Sequence, residues 1–124
     1  MTAQEIFDKA VGALLAQKKK SWSTELEKCV YRTDCGLKCA VGHLIPDELY
    51  TSSMEVGPSG VKTLLDRYPN LEPVILPSDM EGSEAEGFLI DLQGVHDHSI
   101  CWDQSYRRLA KQYGLKWNFG EQHA

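Results

Sequence analysis

Cysteine and histidine are the residues of this 124-residue sequence with the most distinctive chemistry, and four of them lie within the segment 29–43. They are Cys29, Cys35, Cys39 and His43. Thiolate and imidazole are ligands that Zn²⁺ prefers, so this segment is a candidate structural zinc site, and zinc is the one cofactor that the sequence suggests. The spacing C-x5-C-x3-C-x3-H lacks the C-x-x-C pair typical of zinc fingers. The alternative is that the thiols pack as small apolar side chains.

Nucleophilic catalysis is a second possible use of the same residues. Cys39 lies just before small residues at a point where a helix can begin, and a helix N-terminus lowers the pKa of a thiol. His96 would then act as the base, oriented by Asp97 or Asp91. The alternative places His96 in the core, because it falls on the apolar side of its predicted helix.

A third interpretation, which we favour, assigns no chemistry to these side chains. Cys39 and the small residues after it would let a hairpin approach a helix closely, and Arg32 would pair with a carboxylate such as Asp47 or Asp97. Function would then be the binding of a partner protein at the surface. Aromatic and arginine side chains are enriched where such contacts form. The predicted binding residues are Tyr31, Arg32, Trp22 and Trp117.

Composition limits the classes of function and partner. The formal net charge of −5 disfavours general affinity for nucleic acid or for an anionic membrane. No apolar run is long enough to span a membrane, and the N-terminus lacks the pattern of a signal peptide, so we expect a cytoplasmic protein. A reducing cytoplasm also disfavours disulfides. The length suits a single domain, residues 1–124, with a protein partner.

The chemistry-bearing residues must be positioned by a mainly helical α+β fold, with four or five helices and one small β-hairpin near residues 29–40. Thr2 and Glu5 form a capping box at the start of the first helix. The hairpin is predicted from the strand-forming "CVYR" and the turn "TDCG". Pro58 or Ser59 should open a later helix.

Two further helices are predicted in the last third of the chain. Ser83 is the expected cap of the first, on which Phe88, Leu89 and Leu92 share one side with His96. Asp103 is the expected cap of the second.

The segment 31–50 and the His96–Asp97 pair carry a resemblance to a known family. The segment runs Tyr-Arg, a glycine-bearing turn, Cys-Ala-x-Gly-x-Leu-Ile and Pro-Asp, and Trp102 follows the His-Asp pair. The matching residues are Tyr31, Arg32, Gly36, Cys39, Ala40, Gly42, Leu44, Ile45, Pro46, Asp47, His96, Asp97 and Trp102. In these the chain resembles a family of small bacterial and bacteriophage proteins, over most of its length to about residue 115. The resemblance implies a phage or prophage context and a shared fold, and no mechanism. An accessory protein that inhibits or regulates a host factor would fit that context.

Overall fold

The computed structural model describes residues 1–57 and 60–120, and within them the mainly helical α+β class is confirmed. The α-helices are α1 (Ala3–Gln17), α2 (Ala40–Leu44), α3 (Val61–Arg67), α4 (Glu72–Ile75), α5 (Gly82–His98) and α6 (Trp102–Gln112). One antiparallel hairpin joins β1 (Trp22–Ser23) to β2 (Lys28–Cys29), and 3₁₀ turns cover Asp47–Leu49, Ser52–Glu55 and Pro69–Leu71. No helix in the described residues is long and apolar enough to cross a membrane.

Helix α1 begins as its sequence predicts. The Thr2 hydroxyl accepts a hydrogen bond from the Glu5 main-chain N–H at 3.2 Å, and the Glu5 carboxylate accepts one from the Thr2 N–H at 2.8 Å. This reciprocal capping box satisfies main-chain donors that have no partner inside the helix. Helix α1 is thereby started by side chains of its own sequence.

The core lies between α1, α2, α5 and α6, and the buried side chains of α3 and of the segment through α4 complete it. Phe7 of α1 meets Tyr106 of α6 edge to face, with ring centroids 6.3 Å apart. The Tyr106 hydroxyl, although buried, donates to the Leu92 carbonyl of α5 at 2.8 Å, so its polar atom is satisfied. The largest fully buried side chains are Tyr106, Phe7, Phe88, Ile6, Leu14, Leu44, Leu71, Ile75, Leu89, Leu92, His96 and Val11.

The hairpin lies earlier in the chain than predicted. Its strands pair Trp22 with Cys29 and Ser23 with Lys28, whereas the predicted segment 29–40 contains only an isolated bridge between Arg32 and Lys38. One reason is that the predicted second strand runs into helix α2, whose N-cap is Cys39. The main-chain N–H groups of Tyr31 and Arg32 each donate to the Glu55 carboxylate at 3.0 Å. The Tyr31 N–H is therefore not available to an opposite strand.

Two predicted helix starts also differ from the structure. Helix α5 begins at Gly82, ahead of Ser83, and Glu81 precedes it without a side-chain cap. Asp103 lies inside the first turn of α6, where it is buried and pairs with Arg107 at 2.7 Å. The carboxylate therefore stabilises the helix through an i,i+4 ion pair instead of a cap. The predicted start at Pro58 or Ser59 lies outside the described residues.

Candidate functional site

The structure does not bring the four predicted zinc ligands together. Cys35 is exposed beside the Thr33 hydroxyl, whereas Cys39 is buried as the N-cap of α2. The His43 Nε2 atom contacts the Gln17 side-chain oxygen at 3.0 Å. Among the described residues, the single group of three or more potential ligands within 4.8 Å of one another contains only Cys29 of this set. The prediction fails because the short helix α2 and the turn before it carry Cys35, Cys39 and His43 into different environments.

That group consists of Cys29, His96 and Asp97, and among the described residues it is the candidate for a metal or catalytic site. One atom from each side chain lies within 4.8 Å of the others. From the sequence, His96 and Asp97 were predicted to act together, but with Cys39 as the nucleophile. The thiol that lies beside Asp97 is instead that of Cys29, because strand β2 places Cys29 against the C-terminal end of α5.

His96 is held in one tautomer by its neighbours. The Ser21 main-chain N–H points at Nε2 from 3.0 Å, and since an amide can only donate, Nε2 carries no proton. The Nδ1–H group therefore donates to Asp97 Oδ1 at 2.7 Å. The ring also stacks on Trp102, whose indole N–H donates to the His96 carbonyl at 3.3 Å. His96 is fully buried, which confirms the interpretation that placed it in the core.

Asp97 joins three parts of the fold. Burial alone would raise the pKa of its carboxyl group, but hydrogen bonds from His96, Gln93 and Cys29 outweigh burial and lower that pKa. Gln93 donates to Asp97 Oδ1 at 2.9 Å and accepts from the Val41 N–H at 3.0 Å, which ties the carboxylate to α2. The Asp97 carboxylate is thus ionised and satisfied by three donors.

Cys29 is a thiol rather than a thiolate in this setting. Burial raises its pKa to about 11, aided by the charge of Asp97 and by the hydrogen bond that the thiol gives to that carboxylate. A thiolate beside Asp97 would place two negative charges together in a half-buried site. At neutral pH the thiol is therefore a donor in the network, and it is weakly nucleophilic.

A metal ion does not fit this hydrogen-bond pattern. Ligation through His96 Nδ1 would move the ring proton to Nε2, where it would face the Ser21 N–H at 3.0 Å. Ligation through Nε2 would displace that N–H from its acceptor and leave it buried without a partner. The three side chains satisfy one another, so the cluster is a structural network that locks the end of α5 to the hairpin.

Cys39 is not arranged as a nucleophile. Its thiol is buried, and burial raises its pKa far more than the hydrogen bond from the Gly42 N–H lowers it. Cys39 shares a cavity of about 110 Å³ with Cys29 and Asp97, but His96 does not line it. Since both nitrogens of His96 are engaged elsewhere, the residues Cys39, His96 and Asp97 lack the nucleophile–base contact of a thiol enzyme.

Two of the four predicted binding residues are packing residues. Tyr31 is buried, and Trp117 packs edge to face on Phe7 with centroids 6.2 Å apart while Arg107 lies over its ring at 4.5 Å. The Trp117 indole N–H donates to the Gly120 carbonyl at 2.9 Å. Neither aromatic ring is therefore a free contact residue. The placement of Trp117 depends on the C-terminal segment folding back over α1.

Arg32 makes one of the contacts predicted for it. Its guanidinium pairs with Asp47 at 2.9 Å, donates to the Ile45 carbonyl at 2.7 Å and lies 4.5 Å from the centre of the Tyr50 ring. The pairing with Asp47 agrees with the prediction, and Asp97 is not a partner of Arg32. Arg32 therefore holds the segment 45–50 against the loop after the hairpin.

Trp22 is half exposed and belongs to a cluster of exposed apolar side chains that the sequence did not reveal. The exposed fractions are 50% for Trp22, 52% for Leu26 and 67% for Val56. All three line one cleft of about 420 Å³ together with Tyr50 and Arg32. We call Trp22, Leu26, Val56, Tyr50 and Arg32 the hairpin surface. Leu26 lies in the hairpin turn and Val56 ends a 3₁₀ turn, so no periodic pattern marks either as a contact residue.

A second exposed apolar region lies between α5 and α6. Ile90 of α5 and Ile100 of the connecting loop are both exposed and line a groove with Val95 and Leu109. The groove carries Asp91 and Arg108 at its edges, so it has no excess of either charge. It provides an exposed apolar reference position, Ile90, away from the hairpin surface.

The chain matches no protein-family model, no curated protein and no solved structure. The resemblance of segment 31–50 to small bacterial and bacteriophage proteins therefore stays a prediction.

Proposed function

We propose that this protein acts in the cytoplasm by binding a partner protein through the hairpin surface, without catalysis. In the phage or prophage context that the resemblance implies, it would be an accessory protein that inhibits or regulates a host factor. The observation that carries the proposal is the exposure of Trp22, Leu26 and Val56 around one cleft. Clustered exposed apolar side chains with a polar rim are typical of protein-binding surfaces.

The hairpin surface is preorganised by Glu55. Its carboxylate accepts from the main-chain N–H groups of Tyr31 and Arg32 at 3.0 Å and from the Tyr50 hydroxyl at 2.6 Å. These bonds join the chain after the hairpin to the 3₁₀ turn that leads to Val56. A surface ordered before binding loses less conformational entropy when the partner docks.

The anchor of the surface would be Trp22. Tryptophan is the side chain most often responsible for a large share of binding energy, because its ring covers much apolar area with few rotatable bonds. Arg32 and Tyr50 lie beside it in the same cleft and supply a guanidinium and a phenol ring. The composition of the cleft is therefore that of an interface centre rather than of a solvated loop.

The Cys–His cluster supports the non-catalytic part of the proposal. His96 has both nitrogens in hydrogen bonds, and Cys29 and Cys39 both have raised pKa values because of burial. A base without a free nitrogen and thiols that resist ionisation cannot start acyl transfer at neutral pH.

Site-specific photo-cross-linking tests the proposal. A benzophenone amino acid replaces Leu26 in the hairpin surface, and in a matched control it replaces Ile90, which is also exposed and apolar but lies on α5. On irradiation in the host cell we expect a discrete adduct from position 26 that is absent from position 90. Adding Trp22→Ser to the Leu26 variant should remove the adduct.

Two results would overturn this assignment. The first is a folded Leu26 variant that forms no adduct in the host. The second is the same adduct from both positions, which would show non-specific contact. Circular dichroism of each variant establishes that it is folded.

A further inference from the structure

We infer that the partner of the hairpin surface presents a basic segment, with a lysine or arginine next to an apolar side chain. This inference rests on the proposed function and adds the chemistry of the partner. It is based on the charged residues that line the cleft together with Trp22, Leu26 and Val56. These charges favour a protein as the partner over a nucleic acid or an anionic membrane.

Carboxylates outnumber cations along the cleft. Glu25, Asp34 and Glu55 line it, and Arg32 is the one lining lysine or arginine among the described residues. Asp47 lies 2.9 Å from the Arg32 guanidinium and 3.9 Å from the Lys38 amine, so two cations share it. The residues that line the cleft therefore carry a net negative charge, which a cationic partner would neutralise.

Glu25 and Asp34 are the carboxylates available to a partner. Both side chains are exposed, and neither has a hydrogen bond or ion pair within the described residues. Glu55, by contrast, is occupied by the two main-chain donors and the Tyr50 hydroxyl. A partner cation would thus meet Glu25 and Asp34 at the rim while its apolar neighbour contacts Trp22 and Leu26.

The same charges disfavour phosphate-bearing ligands. A nucleic acid or an anionic lipid would bring phosphates to a cleft with two exposed, unpaired carboxylates and a single guanidinium that already contacts Asp47. Like charges in contact weaken association and exclude wrong partners. The net charge of −5 over the whole chain acts in the same direction. A basic protein segment therefore suits both the apolar centre and the rim.

Peptide selection tests the inference. A displayed random-peptide library is selected on the full-length protein and counter-selected on its Trp22→Ser variant, so that only peptides needing the hairpin surface remain. We expect these peptides to be enriched in lysine or arginine near an aromatic or aliphatic residue. Binding of synthetic copies should weaken about 2- to 5-fold with Glu25→Gln or Asp34→Asn, in line with exposed ion pairs.

The matched control is Glu84→Gln, which removes an exposed carboxylate in the first turn of α5, outside the residues that line the cleft, and should leave binding unchanged. Raising the salt concentration should weaken binding to the wild type more than to the Glu25 and Asp34 variants. Trp22-dependent peptides without a basic residue, or peptides indifferent to both carboxylate variants, would overturn the inference while leaving the proposed function intact. Failure to obtain any Trp22-dependent peptide would also overturn it. The cross-linking experiment decides the proposed function separately.

Discussion

The Ser21 main-chain N–H donates to His96 Nε2 at 3.0 Å, although the two residues are 75 positions apart. This bond joins the chain entering the hairpin to the last turn of α5. It also determines which nitrogen of His96 carries the proton, and so it directs the ring toward Asp97. A side chain that resembled a catalytic base in the sequence is thereby a buried structural link.

Replacing His96 by leucine should destabilise the fold. The substitution leaves the Ser21 N–H and the Asp97 carboxylate without their partner in a buried region, with an expected loss of about 2–4 kcal/mol. The control is His98→Leu on the same helix, where the exposed side chain should change stability by less than about 0.5 kcal/mol. Urea unfolding followed by circular dichroism measures both. Equal stabilities of the two variants would refute the structural role of His96.

Gly42→Ala should be among the most damaging single-methyl changes. A Cβ atom at Gly42 would lie 2.0 Å from the Tyr31 carbonyl oxygen, which is main chain and cannot rotate away. We expect a loss of about 3 kcal/mol or failure to fold. Gly94→Ala on α5 is the matched control, since its Cβ would meet nothing within 4 Å, and it should gain up to about 1 kcal/mol. Thermal melts of both variants check the sign, and a stable Gly42→Ala protein would contradict the close approach.

The four cysteines should react with iodoacetamide in a definite order. Cys35 and Cys101 are exposed and should react first. Cys29 should follow slowly because its pKa is raised to about 11, and the buried Cys39 should react only as the protein unfolds. Timed alkylation at about pH 7.5, followed by peptide mass spectrometry, gives the alkylation rate of each cysteine. Fastest labelling at Cys39 would restore the thiol-enzyme hypothesis.

Acidification should remove a stabilising contribution from His43. Burial, with the nearby charge of Lys38, lowers its pKa from 6.5 to about 4. The unfolded chain therefore takes up the proton first, so this contribution is complete above about pH 6.5 and is lost as the pH falls toward 4. The wild-type Tm should consequently fall more steeply across this window than the Tm of His43→Gln. Parallel curves would show that His43 is not the group responsible.

Metal removal should leave the fold unchanged. The Cys29–His96–Asp97 network is satisfied by hydrogen bonds, so treatment with EDTA is expected to cause no fall in Tm. Adding one equivalent of Zn²⁺ should likewise cause no rise in Tm. A metal site would instead be established by three results together. These are about one zinc per chain in the purified protein, a wild-type Tm that EDTA lowers, and a Tm of the Cys29→Ser variant that EDTA does not change.

Local patterns in the sequence predicted a large part of the fold. The capping box at Thr2 and Glu5 determines where α1 begins, and the apolar spacing on α5 correctly placed His96 among buried residues. The small residue Gly42 correctly indicated a close main-chain approach, which is made by the Tyr31 carbonyl. The capping box and the apolar spacing succeed because each depends on residues within a turn or two of one another.

The site and its surface were less accessible to sequence reasoning. Cys39 was chosen as the partner of His96, yet Cys29 holds that position. The hairpin was placed too late, and the N–H groups of Tyr31 and Arg32 donate to Glu55 instead of to a strand. Neither contact can be predicted from a local sequence pattern, since each joins groups that are remote in sequence.

The sequence by itself determined the mainly helical class, the start of α1 and the acidic balance. The tertiary structure decided which thiol meets His96 and Asp97, and that Trp22, Leu26 and Val56 share one exposed cleft. Helix formation and capping depend on hydrogen bonds between near neighbours, so they can be read from short segments. Long-range pairing depends instead on how the packed elements bring distant groups into contact, and that is settled only when the core between α1, α2, α5 and α6 has formed.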